Sequence, residues 1–155
     1  LEELEKALKI DAETDDDVAL STRYINIGGI YYKTGEHEKA LDYMNKALKI
    51  SQDTGNKVGI SHSFNGIASV YHDKGNKDLA LKYLKKALKI CEELGNKVLL
   101  STVLYNISSI YYEQGNLDIA LKHLNDSLSI SRDIGDIENI DITLSTIESI
   151  KRTIR

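Results

Sequence analysis

The stretch ALDYMNKALKI at residues 40–50 returns forty residues later as ALKYLKKALKI at 80–90, and again as ALKHLNDSLSI at 120–130. The similarity extends further, since residues 31–58 and 71–98 are identical at 14 of 28 aligned positions. Self-similarity at a fixed period of roughly 20 to 50 residues is typical of repeat architectures, in which each unit packs on its neighbours. The chain is therefore interpreted as a stack of units rather than as one domain around a single core.

Composition and glycine spacing predict an all-α fold. Proline is absent from the 155 residues, and good helix formers such as Ala, Leu, Lys and Glu are frequent. Glycines recur in two series with the same period, where a positive φ would end each helix: Gly35, Gly75 and Gly115, then Gly55, Gly95 and Gly135. Short links between helices predict antiparallel pairs.

The predicted domain is one solenoid over residues 1–155. It comprises a partial unit at 1–14, units at 15–54, 55–94 and 95–134, and a last helix at 135–155. Thr14 is expected to cap the first complete helix. The segment 1–12 is predicted as the second helix of a truncated unit, so the chain is expected to be a fragment. The other helices are predicted at 16–33, 36–54, 56–74, 76–94, 96–114, 116–134 and 136 to about 152.

Apolar and small residues mark the packed faces at i, i+3, i+4 and i+7 spacing. In the first complete unit they are Tyr24, Ile27, Gly28, Tyr31, Ala40, Leu41, Met44, Ala47, Leu48 and Ser51. The second unit has Phe64, Ile67, Ala68, Tyr71, Ala80, Leu84 and Ala87 at equivalent places, and the third has Leu104, Ile107, Ser108, Tyr111, Ala120, Leu124 and Ser127.

This pattern resembles the tetratricopeptide repeat family, whose signature is W-x2-L-G-x2-Y followed by A-x3-F and a later Ala and Pro. The unit here is longer than the usual 34 residues and lacks the proline. It is similar to the long variant of kinesin light chains, spindle-orientation adaptors, peptide-sensing regulators of Gram-positive bacteria and sensory domains of bacterial signalling kinases. The resemblance implies a right-handed superhelical solenoid of antiparallel helix pairs, with a concave groove that binds peptides or proteins.

Several function classes are disfavoured. The net charge of −4 argues against nucleic-acid binding, and the cluster Lys82, Lys85, Lys86 and Lys89 is interpreted as a solvated helix face. No segment is long and apolar enough to predict a membrane span, and the amino terminus lacks a secretory signal, so a cytoplasmic location is expected. Cys91 is interpreted as a small packing residue, since its repeat equivalents are serines.

No catalytic constellation or cofactor motif is found, so the chain is not expected to be an enzyme. The four histidines lack the partner spacing of a metal site. They are His37, His62, His72 and His123.

Side chains that point away from the packed faces of the first helices are expected to line the groove. The candidate binding residues are Asn26, Tyr32, Lys33, His62, Asn65, Ser69, His72, Tyr105, Asn106, Ser109 and Tyr112. The same faces carry Thr22, Ile25, Gly29, Gly66, Asp73, Thr102 and Glu113. Asparagine amides can donate to and accept from an extended peptide backbone, and the aromatic and histidine side chains would select the ligand's side chains.

The sequence thus predicts a protein–protein or peptide-binding module, part of a larger regulatory or scaffold protein. The alternative is an architectural or dimerising spacer within a signalling protein, with no ligand in the groove. Self-association through the exposed ends of the solenoid, at 1–12 or 136–155, is also expected because each end presents an uncovered apolar face.

Overall fold

The structure, a computed structural model, describes residues 16–154 apart from the side chain of the last. This part of the chain contains seven α-helices and confirms the all-α prediction. Each helix lies within two residues of its predicted bounds. They are α1 Asp17–Lys33, α2 His37–Asp53, α3 Lys57–Asp73, α4 Lys77–Leu94, α5 Lys97–Glu113, α6 Leu117–Ile134 and α7 Ile137–Ile154.

The same turn ends each of α1 to α6. One glycine adopts a left-handed conformation, with φ between 63° and 79°, and the next residue donates its N–H back to a carbonyl five positions earlier. After α1, for example, the Glu36 N–H bonds to the Tyr31 carbonyl at 2.8 Å. This is a Schellman motif, and it satisfies carbonyls that the helix end leaves without partners. The glycine series therefore act as predicted.

A side-chain cap precedes α1, α3, α5 and α7. Asp16, Asn56, Asn96 and Asp136 each accept a hydrogen bond from the backbone N–H three residues on, at 2.9 to 3.1 Å. Such caps stabilise a helix by about 1 kcal/mol. Asp16 takes the capping role that the sequence assigned to Thr14, because α1 begins at Asp17. Thr14 and the predicted helix at 1–12 lie outside the described residues.

The chain divides into two compact units, residues 1–90 and 91–155. In the first, α1 packs against α2, and α3 packs against both. Its core contains Ile27 and Ile67, almost entirely buried, and burial of such a side chain contributes roughly 1.5–3 kcal/mol. In the second, α5, α6 and α7 pack in the same way around Leu124 and Ile150. One continuous solenoid over the whole chain stays a prediction.

Aromatic rings stack at equivalent places within helix pairs. Tyr31 lies on Tyr43 at 5.5 Å between ring centroids, and Tyr71 lies on Tyr83 at 5.8 Å. In the second unit Tyr111 stacks on His123 in the same position, at 5.9 Å.

The predicted lysine face is exposed, although one member, Lys86, covers the Tyr83 ring. Cys91 is buried, as predicted.

Residues without side chains allow the helices of the first unit to approach closely around Met44. A Cβ atom on Gly28 of α1 would lie 3.1 Å from two Met44 carbons, and one on Gly66 of α3 would lie 2.7 Å from the Met44 sulfur. A Cβ on Gly29, by contrast, would meet nothing within 4 Å. Gly28 and Gly66 therefore serve packing, whereas Gly29 faces open space.

The last helix is apolar on more than one side, as expected. Ile147 and Ile150 are buried, whereas Ile137 and Ile142 are 72% and 42% exposed. Self-association through this helix stays a prediction.

Replacement of Ala80 by Glu should destabilise the chain by at least about 3 kcal/mol, because this methyl group is completely buried and a carboxylate there would lack a partner. Thermal unfolding followed by circular dichroism measures the effect. Lys82→Glu, on the exposed face of the same helix, is the control and should change the melting temperature little. An unchanged melting temperature for Ala80→Glu would contradict the assigned packing.

Gly29→Ala should raise the free energy of unfolding by roughly 0.5–1 kcal/mol, since alanine is the better helix former and its methyl group meets no neighbour. Gly28→Ala gains the same propensity but presses on Met44 and on the Ala40 carbonyl, 3.3 Å away. It should be less stable than Gly29→Ala by about 1–3 kcal/mol in urea unfolding. Equal stabilities would show that α1 is not held this closely against α2.

Candidate functional site

In the first compact unit, a cleft runs between α1 and α3, the first helices of two successive helix pairs. It consists of two adjoining hollows of about 430 and 340 Å³ that share Ile25, Asn26 and His62. We call it the α1/α3 cleft. Its lining is Val18, Thr22, Ile25, Asn26, Gly29, Ile30, Lys33, Met44, Asn56, Val58, Gly59, His62, Asn65 and Gly66.

The floor of the larger hollow is apolar because Met44 reaches it from α2 beside two glycines. Among residues 16–154 nothing lies within 4 Å in the Cβ direction of Gly29, whereas Met44 fills the Cβ direction of Gly66. Ile25 and Ile30 of α1 complete the apolar part. The hollow can therefore accommodate an apolar group that a side chain at either glycine would exclude.

Asparagines supply the polar groups of the cleft. The Asn26 side chain is exposed and forms no hydrogen bond with any residue in 16–154. Asn65 faces the same cleft from α3 but is half-buried and already has a partner. Asn56 is occupied as the cap of α3. Asn26 is thus the amide best able to bond to a ligand.

Lys33 provides the positive charge of the cleft. It lies in the last turn of α1, is exposed, and forms no ion pair within the part of the chain that the structure describes. Among residues 16–154, no Asp or Glu lines either hollow. Desolvation lowers the pKa of His62, which favours its neutral form, although the residue as a whole is exposed.

A link between α1 and α3 lies beside Lys33. The Tyr32 hydroxyl hydrogen-bonds to the carboxylate of Asp73. Burial, followed by the charge of Asp73 and this hydrogen bond, raises the pKa of Tyr32 to about 12. The interaction joins the carboxyl-terminal ends of the two helices and holds Asp73 on Tyr32.

The structure brings four of the predicted binding residues together: Asn26, Lys33, His62 and Asn65 line the α1/α3 cleft. Tyr32, Ser69 and His72 lie on the same helices outside this lining. The Ser69 hydroxyl donates to the Asn65 carbonyl at 3.1 Å, within its own helix.

The remaining candidates, Tyr105, Asn106, Ser109 and Tyr112, belong to α5 in the second unit. The Tyr105 hydroxyl lies 3.4 Å from the Thr146 hydroxyl of α7, and Asn106 also has an interaction partner. Tyr112 is 38% exposed. A role for all these candidates in binding stays a prediction.

Sequence reasoning did not assign Met44 to the cleft, because its spacing placed it on the buried face of α2. It is indeed only 4% exposed, yet it forms part of the floor. The signal that could have revealed this is Gly66, because the first and third sequence repeats have an asparagine at this position, Asn26 and Asn106. Ile30, Val18 and Val58 were also missed.

Within residues 16–154, no group of three His, Cys, Asp or Glu side chains is arranged to hold a metal ion. None of the described helices has the length and apolar character needed to cross a membrane.

Comparison with solved structures places the fold among helical repeat proteins. The chain superposes on the apo form of RapI with a TM-score of 0.84 and 22% identity, covering 97% of this chain and 55% of RapI. For aspartyl phosphate phosphatase F from Bacillus subtilis the TM-score is 0.82 with 20% identity, covering 96% and 38% of the two chains. The chain therefore spans only part of these proteins, and identities this low establish the fold alone.

A smaller structure is matched over nearly its full length. The N-terminal domain of stress-induced protein-1 from C. elegans has a TM-score of 0.64 and 20% identity, with 88% of this chain and 98% of that domain covered. A search of curated protein sequences found no match.

The family model described as tetratricopeptide repeat matches residues 1–53 and 59–133, which is most of the sequence. The repeat period, the paired helices and the small residues at their contacts agree with this match. The chain belongs to the tetratricopeptide repeat family.

Proposed function

We propose that this chain is a protein- or peptide-binding module that holds an extended segment in the α1/α3 cleft, as a regulatory or scaffold part of a larger protein. The observation that carries the proposal is the Asn26 amide, which is exposed in the cleft and forms no hydrogen bond with residues 16–154. Family membership supports the same function.

An extended peptide needs partners for its own N–H and C=O groups when it leaves water. A primary amide can donate to one peptide group and accept from another, whatever side chains the ligand carries. Asn26 can do this from α1, with Asn65 opposite it on α3. The apolar floor then adds burial of a ligand side chain, which the hydrophobic effect favours.

The alternative, a dimerising spacer, is supported by the exposed Ile137 and Ile142 of α7. The two functions are separable because they use different helices. Analytical ultracentrifugation of Ile142→Lys against the parent tests the spacer, whereas peptide binding by the same variant tests the cleft. A variant that loses self-association but binds peptides normally would favour the proposed binding function.

Asn26→Ala should weaken the binding of peptides selected from a random library by about two- to tenfold, the loss expected for one hydrogen bond of 0.5–1.5 kcal/mol. Fluorescence polarisation with a labelled peptide measures it. Asn45→Ala is the matched control, because Asn45 is also exposed but lies on α2, outside the cleft lining. The double variant with alanine at Asn26 and Asn65, which both line the cleft, should bind more weakly still. If that variant is folded and binds like the parent, the asparagines do not hold the ligand.

We expect the hydrogen bond between Tyr32 and Asp73, called the brace below, to stabilise the end of the cleft in a pH-dependent way. Since the pKa of Tyr32 is raised in the folded state, the stabilisation is complete below the ordinary tyrosine pKa near 10 and is lost as the pH rises through about 12. Ultraviolet titration of phenolate should show that Tyr32→Phe removes a group titrating at about 12. Asp73→Asn should bring this titration closer to 10, and Tyr112→Phe is the control. A Tyr32 phenol that ionises near 10 in the folded parent would contradict the brace.

A further inference from the structure

We propose that the α1/α3 cleft selects peptides with an aliphatic side chain two residues from a carboxylate side chain. This inference rests on the proposed function. The aliphatic group lies over Met44 between Gly29 and Gly66, and the carboxylate pairs with Lys33. This assigns a ligand class to the cleft.

The place over Met44 between Gly29 and Gly66 is called the aliphatic seat. It depends on a combination of residues that the other first helices lack. The repeat equivalents of Gly29 are Ser69 and Ser109, and the position of Gly66 is occupied by asparagine in α1 and α5. Both glycines contribute, because Gly29 leaves open space above the floor and Gly66 leaves room for the Met44 thioether, which lies where a side chain at residue 66 would begin. A flexible, polarisable thioether adapts to branched and unbranched aliphatic groups.

The preference for a carboxylate follows from charge. The chain has 24 acidic and 20 basic residues, yet the described lining residues include Lys33 and no carboxylate. Lys33 forms no ion pair within residues 16–154. The nearby carboxylate of Asp73 hydrogen-bonds to Tyr32. An acidic ligand group therefore meets a cation that has no ion-pair partner, whereas a basic group meets repulsion.

Helix and strand geometry set the spacing of the two ligand residues. Lys33 is four residues after Gly29 on α1, so it lies about 6 Å further along the helix axis. An extended peptide rises about 3.3 Å per residue, and its side chains at i and i+2 share one face. Two residues of ligand therefore span the distance from the apolar seat to the lysine, in either chain direction.

The test uses the whole chain and a random library of end-capped peptides, so that only side-chain carboxylates can contribute. The parent should enrich Leu, Ile, Val or Met two residues from Asp or Glu. Gly29→Leu should lose the aliphatic preference, because its side chain fills the seat without touching neighbours at Cβ. Lys33→Glu should replace the acidic preference with Lys or Arg.

Two matched controls place the same changes on the outer face of α2. Asn45→Leu adds an exposed leucine, and Lys49→Glu reverses an exposed lysine, both away from the cleft lining. Neither should alter the selected motif. For one selected peptide, Lys33→Ala should weaken binding about three- to tenfold at low salt, and less as salt screens the ion pair.

The outcomes separate the inference from the function beneath it. If the selected peptides lack the aliphatic–acidic pair but their binding depends on Asn26, the inference is wrong and the peptide-binding function still stands. No enriched peptide at all would overturn both. If Gly29→Leu unfolds, Lys33→Glu still tests the ligand class, since the side chain at residue 33 is exposed on a helix surface. An unchanged acidic preference in that variant refutes the ligand class.

Discussion

The left-handed glycine at the end of each helix from α1 to α6 is the constraint on which the rest of the structure depends. A side chain at φ near 70° is strained, whereas glycine adopts this angle without a steric penalty. The turn reverses the chain within three residues, and the residue that follows the glycine starts the next helix. In the first compact unit, α2 packs along α1 and α3 packs against both, so α1 and α3 lie side by side with the cleft between them.

Short links alone do not decide how closely the helices pack, and here small residues complete the geometry. Gly28 admits Met44 from α2, while Gly59 of α3 leaves room for the buried Ser51, whose hydroxyl would lie 2.3 Å from an added Cβ atom. Because Met44 also lies against Gly66, one side chain joins all three helices of the group. The same contact that holds α1 and α3 on α2 thus forms the floor of the candidate site, so one residue contributes to both the packing and the shape of the cleft.

The helices were predictable to within two residues because their signals are local. A glycine followed by Asn, Asp or, after Gly35, Glu ends one helix and precedes the next, and no distant contact is needed to read it. The cleft was predictable in part: the helical face predicted that Asn26, Lys33, His62 and Asn65 lie on one surface, and they line one hollow, while their role in binding stays a prediction. Its floor was not predictable, because the position of Met44 depends on Gly66, a residue on another helix. The hydrogen bond from Tyr32 to Asp73 likewise joins positions forty-one residues apart and leaves no local pattern.

Comparison of the units with one another separates the demands of folding from those of recognition. Positions that pack repeat closely, as with Ile27, Ile67 and Ile107, whereas the position of Lys33 becomes Asp73 and then Glu113. Packing cannot account for that reversal of charge, since all three side chains are exposed. The first helices of the three repeats thus keep their packed residues but differ in exposed charge. Exposed positions can change in charge by single substitutions while the turns, caps and small residues continue to determine the fold.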